Sequence, residues 1–189
     1  MKRSMAVAAL LLGVLAPSAL VATAGAATPA AHGDRVRIVT QLGTIVVVLD
    51  RKRAPKTVAN FLRYVDRGFY NGGAFFRAVP GFVIQGGNKP RELPSDPQLQ
   101  LETPLATGIR NTDGAISMAR TPDPDSATSE FFICDGPQPA LDGTPSSPGY
   151  AAFGHVVSGM NVVRAIIRRP AEEQILVQPV RIVSISRLN

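Results

Sequence analysis

Apolar and polar residues alternate over short stretches along most of this chain, and only twice do apolar positions recur at helical spacing. From Arg35 to Thr40, Val36 and Ile38 fall on one face. Leu42-Gly43 then offers a turn and Thr44 to Leu49 is a β-branched run, so the two stretches predict a hairpin. Ala54 to Arg67 sets Val58, Phe61, Leu62 and Val65 on one stripe, has Pro55 in its first turn and meets Gly68 at its end, which predicts a helix. Tyr70 to Gly73 reads as a turn. Strands are expected at Ala74 to Val79 and Phe82 to Gln85, split by Pro80-Gly81, and again at Gly114 to Ala119, Glu130 to Cys134, Tyr150 to Val156 and Val180 to Leu188. Met160 to Arg169 predicts a second helix with Met160, Val163, Ile166 and Ile167 on one side and Pro170 stopping it. The stretches Asn88 to Thr112, TPDPDSATS and Pro137 to Gly149 are rich in proline or in glycine and short polar residues and read as loops. Many short strands with one helix early and one late predict a closed or a sandwiched antiparallel sheet, and the pattern alone does not choose between them.

The first residues follow a different logic. Lys2 and Arg3 precede an almost wholly apolar run from Met5 to Leu15 that continues past Pro17 to Ala22, and Ala24-Gly25-Ala26 is a small-x-small site. This is the three-part layout of a secretory signal peptide, with cleavage expected after Ala26. The expected organisation is a cleaved leader over 1–26, a short segment over 27–34 and one domain over 35–189, working in the periplasm or outside the cell with no stable membrane anchor.

Charge and cysteine usage narrow the function. The formal net charge is +6, and removing Lys2 and Arg3 lowers it by two. The remaining basic residues are scattered, and neither Arg51-Lys52-Arg53 nor Arg168-Arg169 is interleaved with aromatics as a nucleic-acid platform would be, so no nucleic-acid partner is expected. Cys134 is the one cysteine, so no intramolecular disulfide can form. It continues the apolar run Phe131-Phe132-Ile133 and reads as a small core residue. His32 and His155 are the two histidines, and no Cys/His/carboxylate cluster has metal-ligand spacing. Neither metal nor other cofactor is expected, and a hydrolase lacks its nucleophile–histidine–acid set.

The most specific signal is the run FFRAVPGFVIQGGN, Phe75 to Asn88, taken with SEFFIC, Ser129 to Cys134. An arginine set among apolar residues is costly to bury and points to a task. The pair of segments resembles the cyclophilin family of peptidyl-prolyl cis-trans isomerases, whose pattern reads approximately F-H-R-x-x-P-G-F-x-x-Q-G-G-D, then S-x-F-F-I. Here Phe75, Arg77, Pro80, Gly81, Phe82, Gln85, Gly86 and Gly87 spell the first part, and Ser129, Phe131, Phe132 and Ile133 the second. The resemblance runs from Arg35 to about Leu188, and Gly108 to Arg120 is similar to the exported bacterial branch. It implies an eight-stranded antiparallel closed barrel capped by two α-helices, acting as a monomer on proline-containing unfolded or extended polypeptides.

The chemistry so implied suits the residues. Rotation about an X-Pro bond faces a barrier of about 18–20 kcal/mol and takes tens of seconds uncatalysed. No bond breaks, so a catalyst has only to bind the twisted amide better than either planar form. In the twisted state the proline nitrogen becomes a better hydrogen-bond acceptor, and a guanidinium that never loses its proton is a dependable donor to it. A ~10⁵-fold acceleration corresponds to about 6.8 kcal/mol. One charged donor supplies about half of that, and grip on the proline ring must supply the rest.

The resemblance assigns Arg77 as the catalytic arginine and Gln85 as the glutamine that holds it. It assigns Phe82, Val83, Phe132 and Leu141 to the proline pocket, Ala119 and Arg120 to the groove edge, and Tyr150 to a position where eukaryotic members usually carry histidine. Phe76 replaces a common histidine. Ala140 stands where the family usually has the tryptophan or other aromatic used in cyclosporin recognition. Glu130 replaces a glutamine and sets an acceptor-only carboxylate near Arg77, where competition for its donors is expected. Two readings stay open at this point: an isomerase assisting the folding of exported proteins, or a proline-peptide binding module with little turnover.

Overall fold

The computed structural model describes residues 35–87 and 100–188. The expected leader, the segment 27–34, His32 and the first part of the proline-rich stretch after Gly87 lie outside the described residues. Two hairpin strands open the domain, β1 (Arg35–Thr40) and β2 (Gly43–Leu49), followed by helix α1 (Pro55–Asp66). Then come β3 (Ala74–Val79), β4 (Val83–Gly87), a single-turn helix α2 (Pro104–Thr107), β5 (Ala115–Met118) and β6 (Phe131–Cys134). A 3₁₀ turn (Pro139–Leu141) leads to β7 (Ala152–Ser158), α3 (Met160–Ile167), β8 (Ala171–Glu172) and β9 (Ile175–Arg187).

Every pairing is antiparallel, in the order β1-β2-β7-β5-β6-β4-β3-β9-β8, and β1 also pairs with β9. Eight strands therefore close into a barrel, as the resemblance implied, and β8 is a two-residue addition outside the ring. Closure leaves the eight ring strands without a free edge, which resolves the choice between barrel and sandwich.

Inward positions alternate along each strand. Val36 and Ile38, then Ile45, Val47 and Leu49, are buried in one continuous core. Phe61 of α1 enters it with ring centroids 5.4 Å from Tyr70, 5.6 Å from Phe131 and 5.2 Å from Phe153. Truncating such a side chain costs about 3–5 kcal/mol. Ala54 offers α1 no side-chain cap. The Glu102 carboxylate caps it from a distance instead, accepting from the backbone N–H of Lys56 and Thr57 at 3.1 and 2.8 Å and from the Thr57 hydroxyl at 2.7 Å.

The β3–β4 turn shows why Pro80-Gly81 stands where it does. Phe82 N–H donates to the Val79 carbonyl at 3.0 Å, with Gly81 at φ 70°, so proline and glycine occupy the second and third places of a turn that needs a positive φ at the third. Gly86 answers a different need. A Cβ there would lie 2.8 Å from the Phe75 ring and 2.9 Å from the Ala74 carbonyl oxygen, so β4 can press against β3 only without one.

Two features depart from the sequence expectation. The last strand begins at Ile175, not Val180, because β9 first forms a tight hairpin with β8. Its turn residues Glu173 and Gln174 sit at φ 47° and 74°, without the glycine or asparagine that would signal such a turn. A third, four-residue helix, α2, forms within the expected loop, with the Thr103 hydroxyl accepting from Ala106 N–H at 3.2 Å.

Candidate active site

β6 is buried on both faces. Phe131 and Ile133 join the barrel core, while Phe132 and Cys134 form a second apolar cluster with Val83 and Ala115. Phe82, Ala119, Leu141 and Tyr150, all partly buried, pack against that cluster. Six of the residues assigned to substrate binding from the sequence thus meet on the outer wall of the barrel: Phe82, Val83, Ala119, Phe132, Leu141 and Tyr150. The Phe132 and Tyr150 rings meet edge to face with centroids 5.7 Å apart.

Strand register carries the polar part of the site beside this pocket. Arg77 lies opposite Gln85, Gln85 opposite Phe132, and Phe132 opposite Ser117. Lateral neighbours in a sheet share a face, so these four side chains form one row across β3, β4, β6 and β5. Arg77 is half-buried and its Nη1 donates to Gln85 Oε1 at 3.3 Å. Its guanidinium carbon lies 5.9 Å from the Phe82 ring centroid. Gln85 Nε2 in turn donates to Glu130 Oε2 at 2.7 Å. Glu130 therefore belongs to the polar cluster, reached through Gln85.

Arg120 is engaged with its own chain. Its Nε and Nη2 donate to the Gly149 carbonyl at 3.0 and 2.8 Å, its Nη1 to the Thr121 carbonyl at 2.8 Å, and its guanidinium stands 4.4 Å over the Tyr150 ring. It ties the loop after β5 to the loop before β7 and holds Tyr150 against Phe132. Ala119 N–H donates to the Glu130 carbonyl at 2.9 Å, which joins the two groove segments. Ala140 is exposed, on the 3₁₀ turn next to Leu141.

Two residues at this site were missed in the sequence. Asn111 is buried and donates through Nδ2 to the Leu141 carbonyl at 3.0 Å, while its Oδ1 accepts from the Ser117 hydroxyl at 2.6 Å. Its backbone N–H donates to Asp142 Oδ1 at 2.6 Å. It thus fastens the turn that carries Leu141 to the floor of the pocket. Gln174, at the hairpin tip, accepts through Oε1 from Arg77 Nη2 and Nε at 2.6 and 3.0 Å. A lone polar residue in a loop gives no pattern to read, and only spatial closeness reveals either one.

Cys134 is fully buried, and burial pushes its thiol up to about 12, with Asp142 and Asp113 adding to the effect. That is a packing cysteine, as the sequence suggested, and not a nucleophile. His155 is exposed on β7.

The profile of the family described as cyclophilin type peptidyl-prolyl cis-trans isomerase/CLD matches residues 35–187. The chain is 44% identical over 144 residues to peptidyl-prolyl cis-trans isomerase A of Dickeya dadantii, covering 75% of this chain and 73% of that one. It is 38% identical over 159 residues to a peptidyl-prolyl cis-trans isomerase of Acinetobacter baylyi, covering 79% and 83%. In fold it is similar to a Cryptosporidium parvum cyclophilin type isomerase crystallised in the presence of the dipeptide Ala-Pro, with a TM-score of 0.72 and 24% identity over 82% of this chain and 99% of that one. With that profile and those relatives added to the barrel, the chain belongs to the cyclophilin-type peptidyl-prolyl cis-trans isomerase family and is an isomerase.

Proposed function

We propose that this isomerase seats the proline ring of its substrate between Phe82, Val83, Phe132 and Leu141, and that Arg77 donates to the proline nitrogen as the amide twists. The observation that carries this reading is the row Arg77–Gln85–Phe132, which sets a charged donor beside an apolar pocket on one face of the sheet. The pocket removes the ring from water and fixes the bond's flanks, while the donor acts where electron density appears only in the twisted state. The Cryptosporidium protein crystallised with Ala-Pro supports a proline-containing peptide as the substrate class. Magnetisation-transfer NMR on a short X-Pro peptide tests the proposal. Arg77→Ala should lose ~10²-fold or more in exchange rate while keeping its fold. An Arg77→Ala variant that is folded and equally fast overturns it.

The same reading places the enzyme outside the cytoplasm, as a monomer of the exported bacterial branch that acts on secreted or envelope proteins as they fold. The charged start, the apolar run and Ala24-Gly25-Ala26 support this. Protein recovered from the extracytoplasmic fraction should have an intact mass beginning at Ala27, and a full-length mass in the cytosol speaks against it.

A further inference from the structure

We infer that Gln174 is a positioning residue for Arg77, aiming its guanidinium at the proline pocket. The inference rests on the proposed role of Arg77 as the donor to the twisting amide. A guanidinium carries five N–H donors in a rigid fork. The carbonyl oxygen of Gln174 takes one from Nε and one from Nη2, at 3.0 and 2.6 Å, and so occupies one edge of the fork. Gln85 takes a third, from Nη1 at 3.3 Å. These bonds leave two of the five N–H groups for a substrate, and with two sides of the plane engaged their direction is set.

The backbone around Gln174 is arranged for this contact. Its own carbonyl accepts from Ala78 N–H, next in sequence to Arg77, at 2.9 Å, and Ile175 lies opposite Arg77 in the β3–β9 register. Leu176, one residue further on, is buried and anchors the hairpin. Gln174 itself sits at φ 74°, a conformation that non-glycine residues adopt at some cost. A neutral acceptor also differs from a carboxylate here. It orients the guanidinium without forming a bidentate ion pair that would draw charge away from the substrate. Gln174 is exposed, so the contact adds little to stability, and its consequence is where the guanidinium points.

The test is Gln174→Met, which keeps the unbranched length and removes the acceptor. The expected result is a fall in kcat of ~5-fold with KM changed less than ~2-fold, since a misplaced donor weakens the transition state and leaves the proline pocket intact. The thermal midpoint should hold, and the Arg77 Nε–H resonance should broaden as the guanidinium loses its fixed direction. In an Arg77→Lys background, where the fork is absent, Gln174→Met should change nothing further. If Arg77→Lys slows exchange but Gln174→Met leaves both kcat and the Nε–H resonance as in the parent, the inference is overturned and the role of Arg77 stands. An equal loss in both backgrounds also overturns it, because the residue then acts on the fold. If Arg77→Lys leaves the rate unchanged, the reading of Arg77 falls and takes this inference with it.

Discussion

Gln85 donates its amide nitrogen to the Glu130 carboxylate at 2.7 Å, and that bond decides which end of the amide meets Arg77. A carboxylate only accepts, so the nitrogen must face Glu130 and the carbonyl oxygen must face the guanidinium, 3.3 Å away. The other amide orientation would set two donors against Arg77 and two acceptors against each other. Glu130 thus works on Arg77 through Gln85, a relation that the spacing of residues along the chain does not reveal.

This relation predicts two outcomes at Glu130. Glu130→Gln keeps a carbonyl that can accept from Gln85, so kcat/KM should stay within ~3-fold of the parent, while Glu130→Met removes the acceptor and should lower it by ~3–10-fold, the weight of one hydrogen bond. Both are read in the peptide exchange assay. A several-fold gain in Glu130→Gln would show instead that the carboxylate competes with substrate for Arg77, as the sequence reading expected.

Arg120 supports the pocket through its hold on Tyr150 and the Gly149 carbonyl. It holds Tyr150 by a cation–π contact at 4.4 Å and the Gly149 carbonyl by two hydrogen bonds. Arg120→Ala should raise KM for peptide by ~2–5-fold, in line with about 0.5–1 kcal/mol for such a contact, and leave kcat nearly constant. Arg120→Lys should not restore it, because an ammonium lacks the planar fork that reaches both partners. A lysine variant with parental KM would contradict this reading.

Asn111 links β5 to the turn bearing Leu141, with both ends of its side-chain amide bonded in a buried place. Asn111→Ala leaves the Ser117 hydroxyl and the Leu141 carbonyl without that partner, at about 1–3 kcal/mol. The thermal midpoint should fall by ~2–4 °C per kcal/mol lost for a domain of this size. Calorimetry checks this, and a midpoint within a degree of the parent would mean that water replaces the amide.

What could be read from the sequence divides along physical lines. Most ring strands and both longer helices followed from local periodicity, because each buries one face and its apolar residues repeat accordingly, whereas β6, buried on both faces, showed as a short apolar run. Phe82, Val83, Phe132 and Leu141 were legible as a set only through the family spacing, since each alone looks like a core residue. Phe132 shows why: Phe131 beside it does belong to the barrel core, and only strand direction sorts one into the core and the other into the pocket. Glu102, Asn111 and Gln174 were not legible at all. Each acts across a long stretch of chain on a backbone or side chain that only folding brings near. The β8–β9 hairpin escaped because Glu173 and Gln174 adopt positive φ without being glycine.

Cys134 gives a prediction in pH. Burial holds its thiol at about 12, so the thiolate is scarce at any working pH. Native protein treated with iodoacetamide at pH 8 should gain no mass, and protein in denaturant should gain one adduct. The shift also bears on stability with a definite sign. The folded value lies above the unfolded one, so the proton is held more tightly in the native state. The contribution of this thiol to stability is therefore constant below the unfolded value, near 9, and declines as pH rises from there towards 12. Rapid labelling of native protein at pH 8 would show that the strand opens locally and that the packing role assigned to Cys134 is wrong.

The pocket rim gives the last prediction. Ala140 is exposed on the 3₁₀ turn Pro139–Leu141, one residue from the pocket wall, at the position where the resemblance places an aromatic used in cyclosporin recognition. Alanine supplies neither an indole N–H nor the apolar area of a large ring. Inhibition of the exchange reaction by cyclosporin should therefore be weak although the proline pocket is complete. Because Ala140 is exposed and outside both apolar clusters, Ala140→Trp can add the ring without displacing core atoms, and the domain should keep its thermal midpoint. A buried aromatic anchor of this kind contributes about 2 kcal/mol or more to binding, so inhibition should strengthen by ~30-fold in Ala140→Trp, with kcat/KM for a short peptide little changed. The titration separates the two contributions: peptide turnover reports the pocket, and inhibitor affinity reports the rim. Nanomolar inhibition of the parent enzyme would mean that other residues of the groove replace the aromatic. An Ala140→Trp variant no more sensitive than the parent would mean that the turn holds the ring away from the groove.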